Sequence, residues 1–507
     1  MSGDTLVLGI DIGTQSLRAA VVDLTGRTLA WSVEPIETTY PRPAWAEQSP
    51  ERWWSAAKEA VRRAVAESGA SADQVVGIGL DCTACTVVAC KEDGTPLRPA
   101  LLWMDQRSAR EAADLSATKD PNLKYVSGRL SPEWMLPKAL WLKRNEPQVY
   151  EAADHIIECT DWMMHQLTGR WTLALNHVAV KWNYARPEGG WPRRMMSAVG
   201  LDDLLEKWPT EIVPLGRGDG TLSEAAASAL GLKAGTPVAQ GGIDAYLGML
   251  GMGATGDGDV AAIVGSSTCH LAQTKTGVFG SGAAGCYPDA TVEGLYTLEA
   301  GQTATGSILD WYRRHFAGTE SAEAERQGVH VYSLLDAKAA AVPPGADGLI
   351  ARDDWQGNRS PYKNPNARGA LVGFTLGHGP GHIVRALYEA TACGTRHILE
   401  DAAKHGLSVN RVFIGGGGAR SPLWLQIHAD VLQRPIHLAR DPESCALGAA
   451  MSAAVGAGIF PDFDAAGRAM VQMERVIEPN TANRQVYDDH FARYVALYHA
   501  LNPASGG

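Results

Sequence analysis

Two stretches of this chain follow one pattern. Residues 5–23, TLVLGIDIGTQSLRAAVVD, and residues 259–273, DVAAIVGSSTCHLAQ, each run as an apolar strand, a small polar turn and a second strand. Two such hairpins about 255 residues apart point to two similar domains. At 507 residues the chain also exceeds what one hydrophobic core usually organises. The boundary is expected near residue 250, giving domains 1–250 and 251–507, with the Gly-rich LGMLGMGATGDGD at 247–259 as hinge. Short β-branched runs ending in Gly or Asp, such as VVGIGLD, PVAQGGID and RVFIGGGG, alternate with Ala-rich helical stretches, which predicts an α/β architecture. Helices are predicted at 51–67, 382–400 and 423–433. In the second of these, Ile383, Ala386, Leu387, Ala390, Cys393, Gly394 and Ile398 share one face, so Cys393 is read as core.

Composition narrows the ligands. The chain has 45 basic and 56 acidic residues, a formal charge of -11, and no Lys/Arg run, which argues against nucleic acid or an anionic membrane as partner. No stretch approaches the ~20 apolar residues of a membrane helix, and no basic leader precedes the first apolar run. Eight scattered cysteines do not make a disulfide framework. A soluble, cytoplasmic protein with reduced thiols is expected, acting on a small ligand.

Three cysteines nevertheless fall in DCTACTVVAC, residues 81–90, which contains a Cys-x-x-Cys. That motif makes a reactive thiol where it opens a helix, yet here strand-like sequence flanks it on both sides. Strand positions three apart lie roughly 10 Å from each other, beyond the ~7 Å Cα limit for a disulfide. Cys82 and Cys85 are therefore read as packing residues, and a thiol oxidoreductase is disfavoured.

The first hairpin has the outline of a phosphate site. Asp11 ends its strand and offers a hard oxygen to Mg2+ or its water shell, and Gly13 lets the turn Thr14-Gln15-Ser16 bend sharply, with its amides free to face phosphate oxygens. An ordinary hairpin turn fits the same residues. The second hairpin supplies Ser266, Ser267 and Thr268 in the matching place. A third segment, VFIGGGGARSPLWLQIHADVL at 412–432, runs from a strand into Gly415–Gly418, with Ser421 as helix N-cap and Pro422 at the first helical position. A planar ligand can lie against such bare backbone. Neither a Walker A sequence nor a dinucleotide fingerprint is present.

Taken in order, LGIDIGTQSLRAAVVD, LRPALLWMDQRS, KALWLKRN, GGIDAYLGMLG, IVGSSTCH, GALVGFTLGHGPGHIVRALYEA and GGGGARSPLWLQIHADVL resemble the FGGY family of carbohydrate kinases over residues 5–460. The resemblance implies the actin-like/hexokinase-like ATPase fold, with two ribonuclease-H-like domains and ATP and sugar bound in an interdomain cleft. DCTACT, SPEWMLPKALWL, ECTDWMMHQLTG, VKWNY, LEAGQTATG and GNRSP are closest to its ribulokinase-like, or pentulose kinase, subgroup.

By that resemblance Asp244 matches the catalytic base and Asp11 the carboxylate near Mg2+. Thr14, Gln15, Ser16, Arg18 and Ser266 to Thr268 match the phosphate hairpins, and Gly306, Asp310, Gly416, Gly417 and Ser421 the nucleotide site. Ala84, Lys181, Asp244 and Glu299 match ketopentose contacts. Trp103, Asp105 and Arg107 either line the sugar end or form a structural Arg–Asp pair. Met135 stands where a family signature has a small hydroxyl residue or proline, and LLWMDQRS is closer to D-ribulose and xylulose kinases than to bacterial L-ribulokinases.

The expected reaction is ATP-dependent phosphorylation of a ketopentose at O5, ribulose foremost, because an alcohol needs a base to accept its proton as the new bond forms. Asp244 is expected in the first turn of a helix, whose positive end favours its ionised form, although the same position suits a capping residue. Xylulose, a pentitol or a tetritol are the alternative substrates. An actin-like nucleotide sensor is the non-enzymatic alternative. Family analogy makes a homodimer unsurprising.

Overall fold

The Leu6–Ile12 strand, LVLGIDI, is buried along its whole length, as an apolar run ending in one carboxylate must be when sheet and helices cover both its faces. In the computed structural model, which describes residues 5–503, it sits inside a sheet ordered Gly218–Thr221, Pro237–Ala239, Val75–Cys82, Leu6–Ile12, Ser16–Asp23, Thr28–Pro35. Leu6–Ile12 and Ser16–Asp23 form the expected antiparallel hairpin, with Ile12 opposite Leu17. Val75–Cys82 runs parallel to the first strand and places Asp81 beside Asp11.

One helix decides how this sheet is covered. Ser444–Gly456, SCALGAAMSAAVG, is buried without a break from Ala446 to Ala454, as a helix apolar on all sides should be. It lies directly on the two central strands because Gly9, Gly77 and Gly79 present no side chain. A methyl group on Gly9 or Gly79 would run into the carbonyl oxygens of Ala446 or Ala449, and one on Gly77 would come within 2.7 Å of the Ala453 oxygen.

The chain divides into two units that are discontinuous in sequence. The first holds residues up to Thr255 together with Gly285–Thr297 and Glu443–Gln472, and the second holds Gly256–Ala284, Leu298–Pro442 and the residues from Met473. Two segments of the first unit thus lie beyond residue 250. Asp244–Gly251 is helical through part of the Gly-rich stretch.

The second unit repeats the arrangement. Six strands of its sheet run Tyr296–Gln302, Thr268–Thr274, Asp259–Val264, Arg411–Gly415, Ile436–Ala439, Met473–Ile477. Asp259–Val264 and Thr268–Thr274 are the antiparallel hairpin, Val264 opposite Thr268, and Arg411–Gly415 is the parallel neighbour. The similarity noticed between the two hairpins thus extends to the strand beside each.

The three predicted helices form as Pro50–Ser68, Pro380–Lys404 and Pro422–Leu432. Ser49 caps the first, accepting from the Arg52 amide at 3.3 Å, and Gly69 ends it at φ 70°. The second is buried on every side from Val384 to Thr395, Cys393 included, so it is a core helix rather than one with a single inward face. No helix among the described residues is long and apolar enough to cross a membrane.

The sheet–helix contact generates a direct test. Gly79→Ala forces a methyl against helix backbone that has no room to yield, at a cost of roughly 1–3 kcal/mol or more, seen as an earlier urea transition. Gly318→Ala, with open space around the added methyl, is the control and should leave the transition in place.

Candidate functional site

Three carboxyl groups meet at the carboxyl-terminal edge of the first sheet. Asp11 and Asp81 are neighbours on parallel strands, and Gly242–Ile243 runs parallel to the other side of Val75–Cys82, with Gly242 beside Asp81. Asp244 follows at once, as the first residue of the Asp244–Gly251 helix. Asp11 is held by Arg18, whose guanidinium donates to Oδ2 at 2.9 Å and lies 3.8 Å from Glu443. Asp81 is fully buried and neither of its oxygens meets a donor. Burial, with Asp11 and Asp244 nearby, holds its pKa well above the usual carboxylate range.

Asp244 takes an intermediate position. Burial first, then the Asp11 charge, raise its pKa to about 7, against the opposing pull of the Ala245 amide, His177 and Lys181. The helix start favours the ionised form, as expected, but burial and a like charge oppose it and hold the pKa up. The capping alternative finds no support either: Asp244 lies inside the helix, and its Oδ1 accepts from the adjacent Ala245 amide at 2.7 Å rather than from an amide further along.

The DCTACT segment continues from Asp81. The strand ends at Cys82, and a turn follows before Val87–Cys90 begins. From Gly77 to Cys90 every residue is buried except Ala84. Cys82 and Cys85 are free thiols, and burial pushes both pKa values well up, which removes thiolate character and with it the redox reading. Lys181 closes the Leu175–Lys181 helix, with Nζ 5.6 Å from the Trp134 ring, and its charge acts on both Cys85 and Asp244. Asn176 of the same helix accepts from the Ile243 amide at 2.8 Å, so this helix also positions the residue before Asp244.

The LLWMDQRS loop divides into two parts. Trp103 is partly exposed, and its indole N–H donates to Thr14 Oγ1 at 2.9 Å, which ties the loop to the turn of the first hairpin. Asp105 is buried, with both oxygens engaged: the Ala46 amide donates to Oδ2 at 2.7 Å, and Arg107 donates to Oδ1 and Oδ2 at 2.8 Å each. Its contacts are those of the structural Arg–Asp pair rather than of a sugar ligand, because no oxygen of the carboxylate is left for substrate. In the turn itself the Gly13 amide donates to the Ser16 carbonyl, and the Gln15 carbonyl accepts from Ile36.

In the second unit a cavity of about 810 Å³ gathers Ser266, Gly306, Asp310, Gly417 and Ser421. The Gly306–Phe316 helix begins against the hairpin turn, with the Gly306 amide donating to the Gly265 carbonyl at 3.0 Å and Ser307 to the Ser266 carbonyl at 3.1 Å. Gly416, at φ 85°, passes so close to Val264 that a side chain there would strike its backbone. Ser421 caps the Pro422–Leu432 helix as predicted, accepting from the Trp424 amide at 3.1 Å. Thr268 is buried and donates to Thr305 Oγ1 at 3.0 Å. Asp310 is held by Arg313 and Arg314, which keep its pKa low. Glu299 lies in this unit, on Tyr296–Gln302.

Sequence reasoning missed Asp81, and it missed His330, Tyr332, Ser333 and Asp336, which complete the second-unit cavity. The Asp81 signal was present, since VVGIGLD ends in a carboxylate as LVLGID does. The other four carry no motif.

No cluster of three or more His, Cys, Asp or Glu side chains among the described residues is disposed to hold a metal. Mg2+ takes one or two carboxylates and keeps phosphate and water as its other ligands. Asp11, with one oxygen on Arg18, fits such a partner.

Residues 6–251 match the FGGY family of carbohydrate kinases, N-terminal domain, and residues 260–457 the C-terminal domain of the same family. The chain is 33% identical to a ribulokinase of Anoxybacillus flavithermus, over 98% of this chain and 94% of that one. It is 32% identical to a human FGGY carbohydrate kinase domain-containing protein, over 97% and 95% of the two chains. The crystal structure of xylulose kinase from Rhodospirillum rubrum superposes with a TM-score of 0.89 at 31% identity, covering 98% of this chain and 99% of that one. With the actin-like, hexokinase-like α/β fold and both family domains present, the chain belongs to the FGGY family of carbohydrate kinases and is a sugar kinase.

Proposed function

We propose that this kinase transfers the terminal phosphoryl group of ATP to the O5 hydroxyl of a ketopentose, ribulose foremost, with Asp244 as general base. The observation that carries this reading is Asp244 itself: a partly exposed carboxylate with a pKa near 7, in the unit that also holds the Ala84 turn and Lys181. A base is most effective when its pKa lies near the working pH. As the O5–P bond forms and the bond from phosphorus to the ADP oxygen breaks, Asp244 takes the O5 proton. Ala84 lets the sugar approach the turn, Lys181 and Glu299 hydrogen-bond its hydroxyls, and Trp103 lines the site. That relatives at 33% identity are named ribulokinase favours ribulose.

Ser266, Gly306, Asp310, Gly417 and Ser421 share one cavity, which supports their assignment to the nucleotide, with Gly416 shaping the loop beside them. Ser267 and Thr268, and Thr14, Gln15, Ser16 and Arg18 from the first hairpin, are assigned to its phosphates. Asp11 would hold Mg2+ or its water shell, and the ion would offset charge on the transferring phosphoryl group. Xylulose is the second reading, favoured by the likeness to the xylulose kinase of Rhodospirillum rubrum.

Asp244→Asn should lower sugar phosphorylation by roughly 10²–10⁴-fold while retaining nucleotide binding, and an active Asn variant would refute the base. With the pKa near 7, kcat/KM for the sugar at low Mg-ATP should fall as pH drops through about 7, since the base protonates there. Stability runs the other way. Asp244 binds its proton more tightly in the folded chain, so folding loses free energy as pH rises from the unfolded value toward 7, and Asp244→Asn should unfold no earlier than the parent at pH 8.

Substrate identity is tested by coupled ADP release over D-ribulose, L-ribulose, xylulose, pentitols and tetritols, with phosphate position read by 31P NMR. A highest kcat/KM outside ribulose, or phosphate away from O5, overturns that part of the reading.

A further inference from the structure

Cys85 adopts a left-handed backbone conformation, φ 56°, one turn residue after Ala84. A residue carrying a Cβ atom adopts that conformation at a cost, and keeps it where surrounding contacts enforce it. Here two buried side chains, a lysine whose pKa burial lowers and a glutamate, grip the peptide groups on either side. The Cys85 amide donates to Glu158 Oε2 at 2.7 Å, and the Cys85 carbonyl accepts from Lys138 Nζ at 2.5 Å. Neither Glu158 nor Lys138 reaches solvent.

Each of the two also holds a second part of the site. Lys138 donates to the Leu102 carbonyl at 2.6 Å and the Leu101 carbonyl at 3.3 Å, immediately before Trp103. Glu158 accepts from His177 Nδ1 at 2.7 Å and from the Trp182 indole. His177 stands next to Asn176, the residue that holds Ile243 in front of Asp244. Burial works against the charge on Glu158, but His177, the Trp182 indole and the Cys85 amide more than offset it, so the carboxylate stays ionised. Buried charges are costly to keep, and apolar side chains would fill the same space. What these two achieve is a fixed geometry linking the Ala84 turn, the Trp103 loop and the strand before Asp244.

We propose that Lys138 and Glu158 are positioning residues for sugar binding, which clamp the left-handed Cys85 from both sides and so set the Ala84 turn against the substrate. The proposal rests on the reading of Ala84 as a wall of the sugar site. It assigns a purpose to the lysine of the KALW motif that needs no contact with substrate.

The test is steady-state kinetics on the full chain, with sugar and nucleotide KM measured separately. Lys138→Met should raise the sugar KM by about tenfold, the scale of the left-handed penalty once the clamp is open, with nucleotide KM and kcat little changed. Adding Cys85→Gly to Lys138→Met should recover most of that loss, because glycine takes the left-handed conformation without a Cβ penalty. A folded Lys138→Met with unchanged sugar KM, a parallel rise in both KM values, or no recovery from glycine overturns the proposal. Should Lys138→Met fail to fold, Glu158→Gln with and without Cys85→Gly carries the same comparison, since it keeps the side-chain shape while removing the charge. Ala84→Val separates this from the underlying reading. If Ala84→Val leaves sugar KM unchanged, the wall reading fails; if it raises sugar KM while the clamp variants do not, the clamp alone fails.

Discussion

Like charges set side by side at the ends of three parallel strands are the constraint to which the first unit answers. Asp11, Asp81 and Asp244 cannot all be ionised in so small a space without opposing charge or a bound proton. Each is treated differently. Arg18 pairs with Asp11, Asp81 sits without a donor and burial holds its pKa well above the usual carboxylate range, and Asp244 is left near the middle of the titration range with His177 and Lys181 as counter-charges. The arrangement depends on strand register, and the register is locked from behind by a helix seated on bare glycine backbone at positions 9, 77 and 79.

The second unit repeats the hairpin and its parallel neighbour but places different chemistry at the turn. Where the first hairpin ends in a carboxylate, the second ends in Gly265, Ser266 and Ser267 and receives the start of the Gly306–Phe316 helix. Amides and hydroxyls at that place suit a ligand rich in negative oxygens, just as a poised carboxylate suits one that must lose a proton. One backbone plan thus supports two chemistries through a few side chains. The added polar residues of the second cavity, His330, Tyr332, Ser333 and Asp336, come from the Val331–Ala340 helix and its cap, which neither hairpin resembles.

The features legible in the sequence were those whose physics is local. A tight turn between apolar runs gave both hairpins, Ser421-Pro422 gave a helix start, and GGID placed Asp244 in a first helical turn. Cys82 and Cys85 were readable as packing residues because strand-like sequence surrounds them. The features that were not legible arise from meetings across the chain. Asp81 acquires meaning only beside Asp11 and Gly242. Asp105 looked equally able to face a sugar or pair with Arg107, and only burial with the Ala46 amide decides it. The Ser444–Gly456 helix reads as a generic Ala-rich segment, and its place in the first unit follows from glycines more than 350 residues earlier.

By itself, then, the sequence determined the family, the two-hairpin plan and the residue types available for phosphoryl transfer, because motifs and short-range turn chemistry survive without knowledge of the fold. Tertiary structure decided the state of those residues. Whether a carboxyl group holds a proton, whether an aspartate faces a ligand or an arginine, and whether a cysteine is held in a left-handed turn all depend on what distant segments bring within a few ångströms. Electrostatic and steric energies change steeply over that distance, and spacing along the chain does not encode it.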